Sequence, residues 1–197
     1  MSKKIYKKAQ FLMSVDAPQK LGDSRVEVAF VGRSNVGKSS LLNAICSSRN
    51  LTKVSKTPGK TRAINIFSVT SGKWLVDLPG YGFAASVSKK EKKGWRRMIE
   101  LYLSTRPMLK AVFVLVDARL DATELDREML EWLNSIGMPC YVVANKIDRI
   151  PQSKYVRQRQ KLAKGLGCSP ESIGWVSAKK GTGIGALRVF LSGVLEL

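Results

Sequence analysis

Val26-Glu27-Val28-Ala29-Phe30-Val31, Gly32-Arg33-Ser34-Asn35-Val36-Gly37-Lys38-Ser39 and Ser40-Leu41-Leu42 read in succession as an apolar strand, a turn and the start of an amphipathic helix. The middle stretch fills every fixed position of G-x-x-x-x-G-K-[ST], the phosphate loop. Gly32 and Gly37 have no Cβ, so the backbone can turn its N–H groups inward around a polyphosphate, and the positive end of the following helix adds to the field. Lys38 is then placed to neutralise the β- and γ-phosphates and Ser39 to hold Mg²⁺. The plain alternative is a Gly- and Ser-rich connection. It explains neither the four fixed residues nor the strand and helix that flank them.

Downstream, residues 64–70 alternate apolar and polar as a half-buried strand does, Ser71-Gly72 turns the chain, and residues 73–78 run back as another strand. This hairpin ends in Asp77-Leu78-Pro79-Gly80, where Asp77 can reach Mg²⁺ through water and Gly80 leaves its N–H free to meet a γ-phosphate. Alone the tetrapeptide is a common turn; the phosphate loop upstream gives it weight. Residues 111–117 are a near-continuous apolar run, as in a parallel strand buried on both faces, and residues 123–136 read as a helix with a Thr cap and a closing Gly137. The strand over 140–144 ends in Asn145-Lys146-Ile147-Asp148. Asp148 can accept from N1–H and N2–H₂ of guanine, a donor pair that adenine lacks. Asn145 can tie this turn to the phosphate loop, and the Lys146 stem can lie over the base. A last strand over 173–177 ends in Val176-Ser177-Ala178, where the Ala178 N–H can donate to guanine O6. Further helices are read over 88–105, over 153–164 and through Leu187, Phe190, Leu191 and Val194. The order implies an α/β fold: a mostly parallel six-stranded sheet with one antiparallel edge strand, helices on both faces, and ligand loops at the strands' carboxyl ends.

Composition narrows the chemistry. With no His among 197 residues, His-based triads, His metal sites and imidazole bases are excluded. A formal charge of +19 points to a polyanionic partner, against the simpler reading of a generically basic surface. Residues 50–62 are polar, basic and turn-rich, as a mobile loop would be, and the hydroxyl of Thr57 or Thr61 could complete a Mg²⁺ shell there. Lys89, Lys90, Lys92, Lys93, Arg96 and Arg97 crowd the first half of a helix, where cations oppose the macrodipole, so a functional use is expected for them. Cys46, Cys140 and Cys168 show no C-x-x-C spacing and read as reduced thiols. No apolar run is long enough to span a bilayer and no secretory signal is visible, so a cytoplasmic protein is expected.

Gly32-Arg33-Ser34-Asn35-Val36-Gly37-Lys38-Ser39, Lys56-Thr57-Pro58-Gly59-Lys60-Thr61 and Asp77-Leu78-Pro79-Gly80-Tyr81-Gly82, with Asn-Lys-x-Asp and Ser-Ala further on, resemble the EngB/YihA/YsxC family of bacterial ribosome-biogenesis GTPases, of the TrmE-Era-EngA-EngB-Septin-like class. The resemblance runs from about residue 11 to the C-terminus and implies a P-loop GTPase domain over 25–197 behind a basic arm, residues 1–24, that packs in part through Ile5, Phe11 and Leu12. It implies GTP or GDP with Mg²⁺, and Thr61, not Thr57, as the metal ligand beside Ser39 and Asp77. The nucleotide-facing residues it implies are Gly32, Arg33, Ser34, Asn35, Val36, Gly37, Lys38 and Ser39; Gly59, Lys60, Thr61, Arg62 and Ala63; Asp77, Leu78, Pro79 and Gly80; Asn145, Lys146, Ile147 and Asp148; and Val176, Ser177 and Ala178.

Lys38, Asn35, Thr61 and Gly80 are the residues expected to act in hydrolysis. Asn35 resembles the phosphate-loop Asn that holds K⁺ in related GTPases, although it could equally serve only the turn. Also implied are the large ribosomal subunit or its rRNA as partner, a role in its assembly, a link to cell division and septation, and a monomeric state. Asn145 stands where most of the family carries Thr, and the RNA-binding domain of Era-like GTPases is not recognisable here. Ras-like GTPases position the attacking water with a Gln that is Tyr81 in this chain, so slow intrinsic hydrolysis is expected, accelerated by a partner, a reordered loop or a monovalent cation. The alternative is an RNA-binding assembly factor in which nucleotide is mainly structural; an ATP-dependent kinase is disfavoured by Asp148.

Overall fold

Period-two alternation in two long apolar strands sets the architecture. The computed structural model describes residues 6–48, 50–52, 63–81 and 89–197, the side chains of 89–93 and 95 excepted. Among these, β1 (Gln10–Val15), β2 (Val26–Gly32), β3 (Ile64–Thr70), β4 (Lys73–Asp77), β5 (Leu109–Asp117), β6 (Cys140–Asn145) and β7 (Gly174–Trp175) form one sheet in the order β1-β3-β4-β2-β5-β6-β7. In the central pair β2 and β5, Ala29, Val31, Val112, Val114 and Val116 enter one core. Val28, Phe30, Ala111, Phe113 and Leu115 enter the other. The first core is covered by α2 (Lys89–Thr105), α3 (Glu124–Ser135) and α4 (Tyr155–Leu166), and the second by α1 (Lys38–Ile45) and α5 (Ile184–Val194). Phe30 stacks on Phe113 with ring centroids 5.3 Å apart.

Two features differ from the sequence expectation. The sheet has seven strands, not six, because residues 10–15 of the expected arm pair antiparallel with β3. The one reversed strand, β3, therefore lies a place in from the edge. The signal is faint because β1 is held by its backbone: Phe11-Leu12-Met13 does not alternate, a bulge interrupts the register between Phe11 and Met13, and Phe11 is 54% exposed. Of the expected anchors, Phe11 rests edge-on against Phe67, Leu12 is exposed and Ile5 lies outside the described residues. Tyr6 is the buried anchor instead, its hydroxyl 3.2 Å from Ser192 Oγ. The second difference is β7, expected over 173–177 and reduced to Gly174–Trp175; Val176 N–H still donates to Ala144, but Ser177 N–H turns to Thr182. Among the described residues no helix is long and apolar enough to cross a membrane.

A buried ion pair locks the sheet end remote from the strand-end loops. Glu27 is fully buried and accepts from Ser24 Oγ at 2.6 Å, Tyr102 Oη at 2.6 Å and the Arg106 guanidinium, which also donates to the Gly22 carbonyl at 3.0 Å. Burial, reinforced by the Glu27 charge, pushes the Tyr102 phenol well above its ordinary value and keeps it a donor. Removing one partner of such a pair strands the other charge, at a cost of roughly 3–5 kcal/mol. Arg106→Met is thus expected to lose about 3 kcal/mol in urea unfolding; a loss indistinguishable from zero would contradict the assigned pairing.

Candidate nucleotide site

All the chemistry-bearing strand ends point the same way because β4, β2, β5, β6 and β7 are parallel. Gly32, Asp77, Asp117 and Asn145 close their strands side by side, with Phe30 opposite Asp77 and Asp117 opposite Asn145 in register. Pairing continues past the strands. Arg33 bridges Tyr81, Tyr81 N–H donates to Gly32 O at 3.1 Å, and Ser34 N–H donates to Tyr81 O at 3.0 Å, so the phosphate loop and the loop after β4 are stapled together.

The two motif glycines are required for reasons beyond ligand access. A Cβ on Gly32 would lie 2.8 Å from the Leu115 carbonyl, and Gly37 has φ +97° with its Cβ position only 2.5 Å from Asn145 Nδ2. Gly37 thus serves both the left-handed turn into α1 and the close approach of the base-side loop. Asn35 also has a positive φ, 65°.

Lys38 and Asp77 are 8% and 2% exposed, and the Lys38 ammonium donates to Asp77 Oδ1. Lys38, which the sequence places to neutralise phosphates, here neutralises a buried carboxylate. The donor set suits Mg²⁺, which favours hard oxygen ligands and takes few of them from protein: the Ser39 hydroxyl stands in the first turn of α1, and the Asp77 carboxylate closes β4, the strand paired with β2. Among the described residues no cluster of three or more His, Cys, Asp or Glu side chains could hold a metal by itself. Thr61, Gly59, Lys60 and Arg62 lie outside the described residues, as do Lys53, Lys56 and Thr57. Ala63 is described and stands half-buried just before β3. The chain leading to that segment is pinned to α1: Thr52 N–H donates to Asn43 Oδ1 at 2.8 Å, and Asn43 Nδ2 returns a bond to the Thr52 carbonyl at 3.1 Å.

On the base side, Asn145 uses both ends of its amide. Its Nδ2 donates to Val36 O at 3.1 Å and its Oδ1 accepts from Ala178 N–H at 3.0 Å, which ties the phosphate loop, β6 and the loop after β7 into one body and engages the N–H that the sequence assigns to guanine O6. Lys146, at φ 73°, donates to Asn35 O at 2.6 Å and to Asp117 Oδ2 at 2.9 Å. Ile147 is buried, and its N–H donates to Val176 O at 3.3 Å. Asp148 Oδ1 accepts from Ser177 Oγ at 2.6 Å, and Ser177 Oγ accepts from Lys180 N–H at 3.0 Å, so the carboxylate is aimed by a buried serine. Leu78 is buried beneath the loop, while Pro79 and Gly80 follow it with Gly80 packed on Gly32 O and Ser34 N.

Three residues that the sequence does not assign to the site complete the arrangement, one of them, Asp126, readable only as the partner of the Thr123 cap. Burial raises the Asp117 carboxyl, but hydrogen bonds from Arg119 and Lys146 outweigh it and hold the group down at about 2, so a fixed negative charge orients Lys146. An Asp closing a strand beside the Asn-Lys-x-Asp strand is a signal that could have found it. Arg119 forks onto the same carboxylate. Asp126, buried in the first turn of α3, accepts from the Tyr81 phenol.

The model of the family described as 50S ribosome-binding GTPase matches residues 27–146. A probable GTP-binding protein EngB of Pelotomaculum thermopropionicum is 56% identical over 128 residues, 65% of this chain and 64% of that protein. One of Geobacter sulfurreducens is 39% identical over 189 residues, 95% of this chain and 91% of that protein. A crystal structure of a probable GTP-binding protein EngB shares the fold with a TM-score of 0.71 at 23% identity, over 87% of this chain and 99% of that one. With the phosphate loop and the Asn145–Asp148 turn at the same end of the sheet, on parallel strands β2 and β6 that flank β5, these similarities mean that the chain belongs to the 50S ribosome-binding GTPase family and, within it, to the EngB GTP-binding proteins.

Proposed function

We propose that the chain is a GTP-hydrolysing switch in the assembly of the bacterial large ribosomal subunit. The observation that carries the nucleotide part is the aiming of Asp148 by Ser177, on a loop that Asn145 fastens to the phosphate loop. In this reading Lys38 would leave Asp77 for the β- and γ-phosphates, and Ser39, Thr61 and the freed Asp77 would hold Mg²⁺. Mg²⁺ offsets phosphate charge when bound. Gly80 N–H meets the γ-phosphate, and Asn35, exposed at the tip of the loop, is the residue for K⁺.

The partner part rests on charge. Lys89 opens α2 nine residues after Gly80, so the presentation of Lys89, Lys90, Lys92 and Lys93 would respond to whether Gly80 meets a γ-phosphate. A second basic surface is visible on α4. Lys154 precedes the helix, and Arg157, Lys161 and Lys164 continue the same exposed stripe at i+3, i+7 and i+10, opposite buried Leu162 and Leu166, with no acidic residue in the helix. Lys161 pairs with the exposed Asp121, a contact of little worth in water. The α4 stripe, together with the lysines that the sequence places at the start of α2, would suit an RNA backbone, whose counterions they would release. The monomeric state and the link to division and septation belong to the same proposal.

The test is binding to purified large subunits with a non-hydrolysable GTP analogue or GDP across a salt series. Tighter binding of the analogue form is expected, with a steep salt slope in both states, and Lys89, Lys90, Lys92 and Lys93→Ala should flatten the slope without altering GTP affinity. Binding indifferent to nucleotide and to these lysines would leave an RNA-binding factor with a structural nucleotide. Hydrolysis should be slow alone and faster in KCl than NaCl; equal turnover in the two salts would remove K⁺.

A further inference from the structure

Tyr81 occupies the place from which Ras-like GTPases position the attacking water, yet its side chain is committed elsewhere. Its ring packs against the core under α2, α3 and α4, on the opposite face of the sheet from α1, which carries Lys38 and Ser39. Its hydroxyl donates to Asp126 Oδ1 at 3.0 Å. Burial, reinforced by the Asp126 charge, pushes this phenol well above its ordinary value, so it remains a donor at any working pH. Asp126 is buried, and its other oxygen accepts from Thr123 Oγ1 at 2.7 Å and Thr123 N–H at 3.3 Å, closing the capping box of α3. The acceptor is therefore fixed to the first turn of a helix and cannot follow the phenol if the loop shifts.

The backbone of Tyr81 is equally constrained. Its N–H and carbonyl are both bonded to the phosphate loop, and Gly80, immediately before it, has Gly32 O and Ser34 N within 3.3 Å of where a Cβ would be. Gly80 thus lies between two fixed points, the phosphate loop and the cap of α3.

We propose that the Tyr81–Asp126 hydrogen bond is a strut that sets the orientation of the Gly80 peptide, making Tyr81 and Asp126 positioning residues for γ-phosphate recognition rather than groups that handle water. The inference rests on the proposed contact of Gly80 N–H with the γ-phosphate. It also accounts for the missing Gln: the residue after Gly80 has been used to hold the loop, so acceleration of hydrolysis has to come from outside it. Because GDP has no γ-phosphate, the strut acts on triphosphate affinity alone.

Tyr81→Phe removes the hydroxyl and keeps the ring in its packing. Affinities for a fluorescent non-hydrolysable GTP analogue and for fluorescent GDP are to be measured on wild type, Tyr81→Phe and Thr123→Val, each with its melting temperature. Expected for Tyr81→Phe is about a tenfold loss for the analogue with GDP affinity unchanged, the size of one hydrogen bond to a charged group. Thr123→Val removes the 2.7 Å bond to Asp126 but leaves that carboxylate the Thr123 N–H and leaves the phenol its acceptor, so it should lower the melting temperature and change the ratio of the two affinities far less than Tyr81→Phe does. An unchanged ratio in Tyr81→Phe would overturn the strut, as would parallel losses for both nucleotides or an equal change of ratio in Thr123→Val. A wild-type protein that binds GDP and the analogue equally well, with no gain from the γ-phosphate, would instead overturn the Gly80 contact on which the strut depends.

Discussion

Lys38→Ala is expected to lose GTP affinity by about 10³-fold, several kcal/mol, and at the same time to unfold more easily when nucleotide is absent. The first effect follows from its place at the end of the phosphate loop. The second follows from packing: Lys38 and Asp77 are both buried, and the ammonium is the partner of that carboxylate. Truncation leaves Asp77 buried without a cation, a loss of roughly 3–5 kcal/mol. Lys38→Ala combined with Asp77→Asn removes the stranded charge and should recover much of the stability while recovering none of the affinity. Urea unfolding of the two variants separates these effects. A single variant as stable as wild type would show that the buried pair contributes nothing, and one that kept its GTP affinity would remove the phosphate-loop assignment.

Asp148→Asn is expected to exchange base preference. The carboxylate, aimed by the Ser177 hydroxyl at 2.6 Å, accepts from two guanine donors, and an amide offers one acceptor and one donor in their place. Guanine would leave a donor unpaired in the variant, whereas xanthine presents a carbonyl where guanine has its amine. Sites built around a polar contact reject the analogue that lacks it by as much as roughly 10⁴-fold, so the ratio of GTP to XTP affinity should change by about that order. Ser177 keeps its hydrogen bond to an amide oxygen, and the Asn145 contacts are untouched, so the fold should be unaffected. Isothermal titration with both nucleotides checks this. Full GTP affinity with no gain for XTP would mean that Asp148 does not read the base.

What could be read from the chain divides along physical lines. Phosphate-loop and base-loop residues announce themselves because a fixed spacing of Gly, Lys, Ser, Asn and Asp has few other uses, and β2, β5 and β6 because buried parallel strands need near-continuous apolar runs, broken in β2 only by Glu27. Strand β1 was illegible for the opposite reason: pairing through its backbone places no demand on the pattern of its side chains. The supporting polar residues were missed because their roles depend on partners far away in sequence. Asp117 acquires meaning only beside Lys146, Asp126 only beside Tyr81, and Glu27 only when Tyr102 and Arg106 are folded over it. The glycines were found, but for an incomplete reason: Gly37 is required by Asn145 as much as by any phosphate.

Everything at the strand ends of this chain is arranged for a guanine nucleotide. Displacement of fluorescent GDP from the wild-type protein by GTP, GDP, ATP and XTP in the presence of Mg²⁺ tests it most directly. GTP and GDP should compete fully, with ATP and XTP weaker by at least about 10³-fold. Displacement by ATP at the concentrations that suffice for GTP would contradict the account.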